Sequence, residues 1–246
     1  MPVERTRLCA GSATALRCIA LFVIFFLTAC NQTTSLLSVA GEASAGESRS
    51  AANYGARSNE EYPVPAVRAD ELDPKYMRQR VRYPTTHPAG TIVVDPDAKF
   101  LYLVMAGGVA LRYGIGVGRE GFGWSGEARI ARKAQWPSWT PPAKMIRRQP
   151  ALARYRRGMA PGLENPLGAR ALYLFQNGRD TLYRIHGTNE PWSIGQNVSS
   201  GCIRLLNQDI IDLFGRVPTG SSVVVLSHRK LVDAAIDAGA ADGRLQ

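Results

Sequence analysis

Three short apolar runs follow one another closely: Thr91-Ile-Val-Val-Asp95, Phe100-Leu-Tyr-Leu-Val104 and residues 110–117, separated by Asp-Pro-Asp and Gly-Gly. Each run is too short for a stable helix and is rich in β-branched and aromatic residues, and the separators are the residue types that tight turns demand. The spacing predicts a β-meander. Further runs at 171–175, 181–186 and 222–226 read as strands in the same way. Only the stretch after Asn207 has helical periodicity, with Leu206, Ile210, Leu213 and Phe214 on one face and Asn207 as the expected N-cap. Many short strands with one or two short helices predict a mostly β fold, a β-sandwich or barrel-like sheet. Hydrophobic residues make up 45% of the 246, enough for one medium core once the N-terminal region is set aside.

That region reads as targeting rather than structure. Arg5, Arg7 and Arg17 precede the apolar run 18–27, which is too short for a membrane span and has the form of an export signal's apolar segment. The run closes with Leu27-Thr28-Ala29-Cys30, which resembles a bacterial lipoprotein signal. The resemblance implies a signal peptide over 1–29, lipidation of Cys30 and anchorage to a membrane. Asn31, by the same resemblance, implies the periplasmic face of the outer membrane. The alternative is an ordinary cleavable signal with Cys30 incidental. Residues 32–82 are rich in Ala, Ser, Gly and charge with little periodicity, so 30–89 is expected to form a flexible tether, with a weak helix at 70–82 limited by Pro74. Residues 229–246 are expected to be a C-terminal tail.

The densest chemistry lies in the run IHGTNEPWSIGQNVSSGCIRLLNQDIIDLF, residues 185–214. A thiolate, not a thiol, attacks carbon, so a nucleophilic cysteine needs a neighbour that takes its proton. His186 can do so if a strand ends there and the chain loops round to bring Cys202 alongside. Backbone N–H groups of the Ser200-Gly201-Cys202 turn could face a developing oxyanion, and Gly201 would let backbone approach a substrate closely. The following helix N-terminus would favour a thiolate. A lone cysteine beside Gly and Ile can instead be a small buried hydrophobe. The preceding His-Gly-Thr turn and the following Arg204 favour catalysis. Of the four cysteines, Cys9 and Cys18 would leave with the signal and Cys30 would be lipidated, so Cys202 would have no disulfide partner in an oxidising compartment.

His186-Gly187-Thr188 followed by Ser199-Ser200-Gly201-Cys202-Ile203-Arg204 resembles the L,D-transpeptidase catalytic domain family, also called the YkuD or ErfK family. Residues 136–142, Trp-Pro-Ser-Trp-Thr-Pro-Pro, and Asn165-Pro166-Leu167-Gly168 are similar to family features upstream. The resemblance spans about 90–226 and implies a catalytic domain over 90–228. It implies Cys202 as nucleophile, His186 as general base and later acid, and the Gly187 region as the backbone that orients the imidazole. Many members carry a second histidine where this chain has Ser200, a departure that leaves the nucleophile and base intact.

Arg204 is a candidate clamp for substrate carboxylates, since its planar fork binds them bidentately, or a structural ion-pair partner of Asp209 or Asp212. Trp136, Trp139 and Trp192 could line a groove or fill a sheet core. Arg147, Arg148, Arg154, Arg156 and Arg157 fall in a long Pro- and Gly-punctuated segment, 141–168, which could be a lid over substrate or a solvated face. Gly116-Val-Gly118-Arg-Glu-Gly121 fits the dinucleotide pattern letter by letter, but no helix follows, so a hairpin connection is expected. The three histidines are far apart and no His or Cys pair has ligand spacing, so no metal and no cofactor are expected.

A net charge of +10 suits an acidic partner. Export disfavours nucleic acid, whereas peptidoglycan stem peptides carry carboxylates. The family resemblance therefore implies a periplasmic L,D-transpeptidase that forms a cysteine thioester with a tetrapeptide stem and passes it to an amine, making a 3-3 crosslink or attaching an outer-membrane protein. Two rivals are a carboxypeptidase or wall hydrolase that uses water, and a non-catalytic lipoprotein tether that binds peptidoglycan.

Overall fold

The computed structural model describes residues 53–68, 70–118, 124–199 and 201–227. The signal segment, Cys30, Ser200, His228 and the C-terminal tail lie outside these residues, as do the expectations placed on them.

In chain order the strands are β1 (Gln79–Arg82), β2 (Ile92–Asp95), β3 (Phe100–Met105), β4 (Val109–Gly114), β5 (Val117–Gly118), β6 (Gly126–Gln135), β7 (Arg170–Gln176), β8 (Arg179–His186), β9 (Asn197–Ser199), β10 (Ile203–Arg204) and β11 (Ser222–Val225). Among the described residues two α-helices join them, α1 (Ala143–Arg148) and α2 (Asn207–Arg216). Nine strands form one sheet in the order β1-β4-β3-β2-β11-β6-β7-β8-β10, and β5 pairs separately with β9.

The expected meander is β2-β3-β4, antiparallel throughout, with Ile92 opposite Leu103 and Leu101 opposite Tyr113. Its turns follow their sequence chemistry. The Asp95 carboxylate accepts from the N–H groups of Asp97 and Ala98 at 3.1 and 2.9 Å, an Asx turn. Gly107 and Gly108, in the three-residue connection between β3 and β4, both have positive φ, 80° and 69°, which glycine adopts without steric cost.

Strand β2 lies between β3 and β11, and Ile92, Val93 and Val94 are all buried. Ile92, Leu103 and Tyr113 share one apolar cluster with Ile185, Ile203, Ile210 and Leu213, although their strands lie far apart in the sheet order. Gly116, just past β4, exchanges two backbone hydrogen bonds of 2.9 Å with Arg204 on β10. The segment after β4, near one end of the strand order, is thereby joined to β10 at the other end around one core, in keeping with the mostly β fold expected. Helix α2 buries Ile210 and Leu213 in that core, each worth about 1.5–3 kcal/mol of apolar burial.

Three expectations fail for physical reasons. Residues 53–82 are not a free tether. Tyr54 and Leu72 are buried with Ile194 and Leu206, Val64 is buried with Trp136 and Ala169, and β1 pairs with β4. A few apolar anchors suffice where average composition suggests disorder. The weak helix expected at 70–82 is a single 3-10 turn, Pro74–Tyr76, whose preceding Asp73 accepts from the Lys75 N–H at 3.0 Å, and the chain then enters β1. The segment after Gly116 is not a hairpin, because β5 pairs in parallel with β9 and β6 pairs with β11 and β7. Residues 119–123 of that segment lie outside the described residues.

Candidate active site

Strand β8 ends at His186, and β10 runs parallel beside it, with Ile203 opposite Ile185 and Arg204 opposite His186. Ile185 and Ile203 are fully buried in the core. Side chains alternate along a strand, so their neighbours project from the other face. Continuing the register sets Cys202 beside Arg184, one diagonal step from His186. His186, Cys202 and Arg204 all line one cleft of about 540 Å³. Gly201 turns the chain into this position at φ 125°, a conformation that L side chains avoid.

His186 is buried, and its Nδ1 lies 2.6 Å from the Gly187 carbonyl oxygen. A carbonyl can only accept, so Nδ1 carries the proton and Nε2 of the neutral ring keeps its lone pair. Burial, with the nearby Arg204 charge, pushes the imidazole down to about 3, against the opposing pull of the Gly187 and Pro166 carbonyls. That displacement favours the neutral ring, with the Nε2 lone pair open to a proton donor.

Cys202 is in no disulfide. Burial pushes its thiol upward, while the Arg184 backbone N–H and the Arg184 and Arg204 charges pull the other way. Both displacements favour the neutral thiol and imidazole over a thiolate and imidazolium. The helix N-terminus expected to help does not adjoin the thiol, since β10 intervenes before α2. Sγ also lies 4.0 Å from the Leu182 carbonyl oxygen. Leu182 itself has φ 64° at a register irregularity between β7 and β8, an uncommon conformation for leucine.

The imidazole's platform is built from Gly187, Gly168 and Asn207. A Cβ at Gly187 would fall 2.3 Å from Asn207 Oδ1, and one at Gly168 would fall 2.7 Å from the Thr188 N. Asn207 Oδ1 accepts from the Ala169 N–H at 2.9 Å and its Nδ2 donates to the Thr188 carbonyl at 2.9 Å. Asn207 is therefore not the N-cap expected. It is the first residue of α2, the N-cap is Leu206 without a side-chain bond, and the amide is spent tying two loops together under His186. Asn165 supports the neighbouring loop by donating to the Pro137 and Ala160 carbonyls at 3.0 and 2.9 Å.

Arg204 pairs with neither Asp209 nor Asp212. Its Nη1 donates to Glu190 Oε2 at 2.5 Å, and the two aspartates instead face Arg78 at 3.6 and 3.0 Å. Of the tryptophans, Trp139 and Trp192 line the cleft, with Trp192 56% exposed. Trp136 does not; it is buried and donates through Nε1 to Glu60 at 3.1 Å. The segment 141–168 does wall the cleft, through Met145, Leu152, Tyr155 and Met159, but none of its arginines lines it. Gln149 and Glu164 join these mostly apolar side chains, and the five arginines are exposed, the solvated face that was the alternative to a lid.

Sequence reasoning passed over Arg184 and Glu190. Arg184 was accessible in principle, because it stands two residues before His186 on the same strand face. Nothing in the spacing marks Glu190. Among the described residues no cluster of three or more His, Cys, Asp or Glu could hold a metal.

A thiol, a neutral imidazole with its basic nitrogen unprotonated, and a guanidinium around one cleft are the parts of a cysteine acyl-transfer site. The profile of the YkuD family, described as the L,D-transpeptidase catalytic domain, matches residues 89–225. The chain belongs to that family. It is 36% identical to the probable L,D-transpeptidase YbiS of Escherichia coli over 150 residues, 59% of this chain and 47% of YbiS. The chain spans about half the length of the curated relatives it matches. Among solved structures, a Brucella melitensis protein bearing the name probable carnitine operon oxidoreductase caia is 50% identical, covering 63% of this chain and 96% of that one at a TM-score of 0.45. An L,D-transpeptidase from Mycobacterium smegmatis is 20% identical, covering 56% and 58%, at a TM-score of 0.41.

Proposed function

We propose that this protein is an L,D-transpeptidase acting on peptidoglycan stem peptides. The observation that carries the reading is the β8–β10 register, which sets Cys202 and His186 on one cleft-facing side with Nδ1 held by Gly187. Cys202 Sγ attacks the carbonyl of the third, L-centred residue of a tetrapeptide stem as His186 Nε2 takes the thiol proton. Backbone N–H groups of the Gly201–Cys202 turn face the oxyanion. The C–N bond to the terminal D-alanine breaks, the leaving amine takes the proton from His186, and a thioester remains. An acceptor amine then attacks the thioester and gives its proton to Nε2, and the released thiolate takes that proton back. The acceptor is the side-chain amine of a neighbouring stem, giving a 3-3 crosslink, or an amine of an outer-membrane protein.

The N-terminal sequence supports the same compartment. We propose export by residues 1–29, lipidation of Cys30 and residence on the periplasmic face of the outer membrane, so that the domain meets the wall from that side. The mass of the mature N-terminal peptide tests this.

Incubating the protein and its Cys202→Ala variant with disaccharide-tetrapeptides, and reading protein and product masses, tests the activity. The expected result is an acyl adduct, released D-alanine and crosslinked dimers, all absent from the variant. Equal turnover by the variant would overturn the reading, and D-alanine release without dimers would make water the acceptor.

A further inference from the structure

The Arg204–Glu190 ion pair occupies the cleft beside the reacting groups, and it is incompletely bonded. Glu190 engages Nη1 through Oε2 alone, and the buried Nε of Arg204 has no acceptor. A guanidinium is best satisfied by a carboxylate that meets two of its N–H groups side by side. Glu190 stands 40% exposed at the side chain against 16% for Arg204, so the acid is the member of the pair that solvent and ligand can reach.

Glu190 is also carried on a rigid base. Its N–H donates to Thr188 Oγ1 at 3.0 Å, and its carbonyl accepts from the Ser193 N–H at 3.0 Å and Oγ at 2.6 Å. The backbone stays fixed when the side chain swings, because none of those bonds uses the carboxylate. Arg204 is itself anchored by its backbone to Gly116, and its side chain is the more buried of the two.

We propose that Glu190 is an internal counter-ion that fills the anion site of Arg204 in the resting protein and is displaced by a carboxylate of the acyl donor. It sets a threshold that only a donor carboxylate at that subsite has to cross, because only such a ligand competes with Glu190 for the Arg204 guanidinium. Neutral amides leave the Glu190 pair in place and bind without that contact. The exchange also keeps Arg204 compensated at every stage, so the charge sensed by Cys202 and His186 is held steady while substrate enters. The proposal rests on the transpeptidase reading for the identity of the donor and on geometry alone for the counter-ion.

Glu190→Gln keeps shape and removes charge, and Glu190→Ala checks that any effect is not particular to the amide. With the full chain, KM for a tetrapeptide donor is expected to fall about two- to fivefold in both variants, the range of a partly exposed ion pair, with kcat nearly unchanged. Donors amidated on the side chain of the third residue, or on the terminal carboxylate, identify which carboxylate docks: the one whose amidation abolishes the KM difference. An unchanged or raised KM overturns the proposal.

A second readout needs no donor. Removing the Glu190 charge leaves Arg204 uncompensated near the thiol, so iodoacetamide labelling of Cys202 should rise at lower pH than in the parent protein. The charged and titrating groups around that sulfur are Arg184, Arg204, His186 and Tyr183. If the parent protein never acylates, the transpeptidase reading fails while the labelling profile still decides the counter-ion, and an unmoved profile overturns it.

Discussion

Arg204 lies directly opposite His186 in the parallel pairing of β10 with β8, and its positive charge adds to burial in keeping the imidazole unprotonated. The same charge favours the thiolate of Cys202, though not enough to offset burial. One guanidinium therefore lowers the proton affinity of both the imidazole and the thiol, and burial favours the neutral pair.

A neutral resting pair has a measurable signature. Iodoacetamide labelling of Cys202 is expected to rise in one step above the ordinary thiol range, with no reactive plateau extending down to pH 5. A thiolate–imidazolium pair would give that plateau, and its appearance would refute the resting state described. His186→Gln should leave the labelled fraction at pH 9 largely unchanged while abolishing turnover, because the histidine acts during attack rather than before it.

Asn207 positions rather than reacts. Removing its amide in Asn207→Ala frees the Ala169 N–H and the Thr188 carbonyl and loosens the loop that carries the imidazole's acceptor, Gly187. Small misplacements of catalytic groups are costly, so kcat is expected to fall about 10–100-fold with a much smaller change in KM. Asn207→Asp restores the acceptor but cannot donate to Thr188, and should recover only part of the loss. Gly187→Ala would drive a methyl against Asn207 Oδ1 and should destabilise by about 1–3 kcal/mol, read by urea denaturation.

How far the sequence reached depended on how local each feature is. The meander was legible because Asp95 and the Gly107-Gly108 pair write their turns into adjacent residues. Cys202 and His186 stood out as a candidate pair because acyl-transfer chemistry calls for those residue types, and both line one cleft. What escaped depends on partners far along the chain. Tyr54 lies 155 residues from Asp209, so residues 53–82 looked like a polar tether until their anchors met α2. Asn207 has the look of a helix cap, and only the approach of residues 168 and 188 gives its amide better partners. Glu190 carries no local mark, and its meaning arises when the loop lays it against Arg204.

Trp192 should contribute to binding and not to folding. It lines the cleft yet is largely exposed, so Trp192→Ala removes contact area for the proposed stem-peptide donor without opening the core. The expected outcome is a several-fold rise in KM, about 1 kcal/mol of lost aromatic contact, with an unchanged melting temperature. A fall in melting temperature of several degrees would assign it to the fold instead.

Asp209 and His186 should tilt stability against pH in opposite directions. Asp209 is fully buried on α2, accepts from the Tyr54 hydroxyl at 3.1 and 3.2 Å and lies 3.6 Å from Arg78. Burial pushes its carboxyl from 3.8 up to about 7. The folded state thus holds a proton that the unfolded state has lost, and the stabilisation, complete below 3.8, disappears as pH rises through 7. His186 is displaced downward, from 6.5 to about 3. There the unfolded state holds the extra proton, and stability falls as pH drops below 6.5. Each group alone contributes a slope of up to about 1.4 kcal/mol per pH unit within its window. Asp209→Asn should therefore gain stability relative to the parent protein steadily from pH 4 to 7. His186→Gln should lose stability relative to the parent as pH rises from 4 to 6.5. Calorimetric melting across this range reads both differences, and parallel curves for Asp209→Asn and the parent would show that Arg78 keeps the aspartate ionised in the fold.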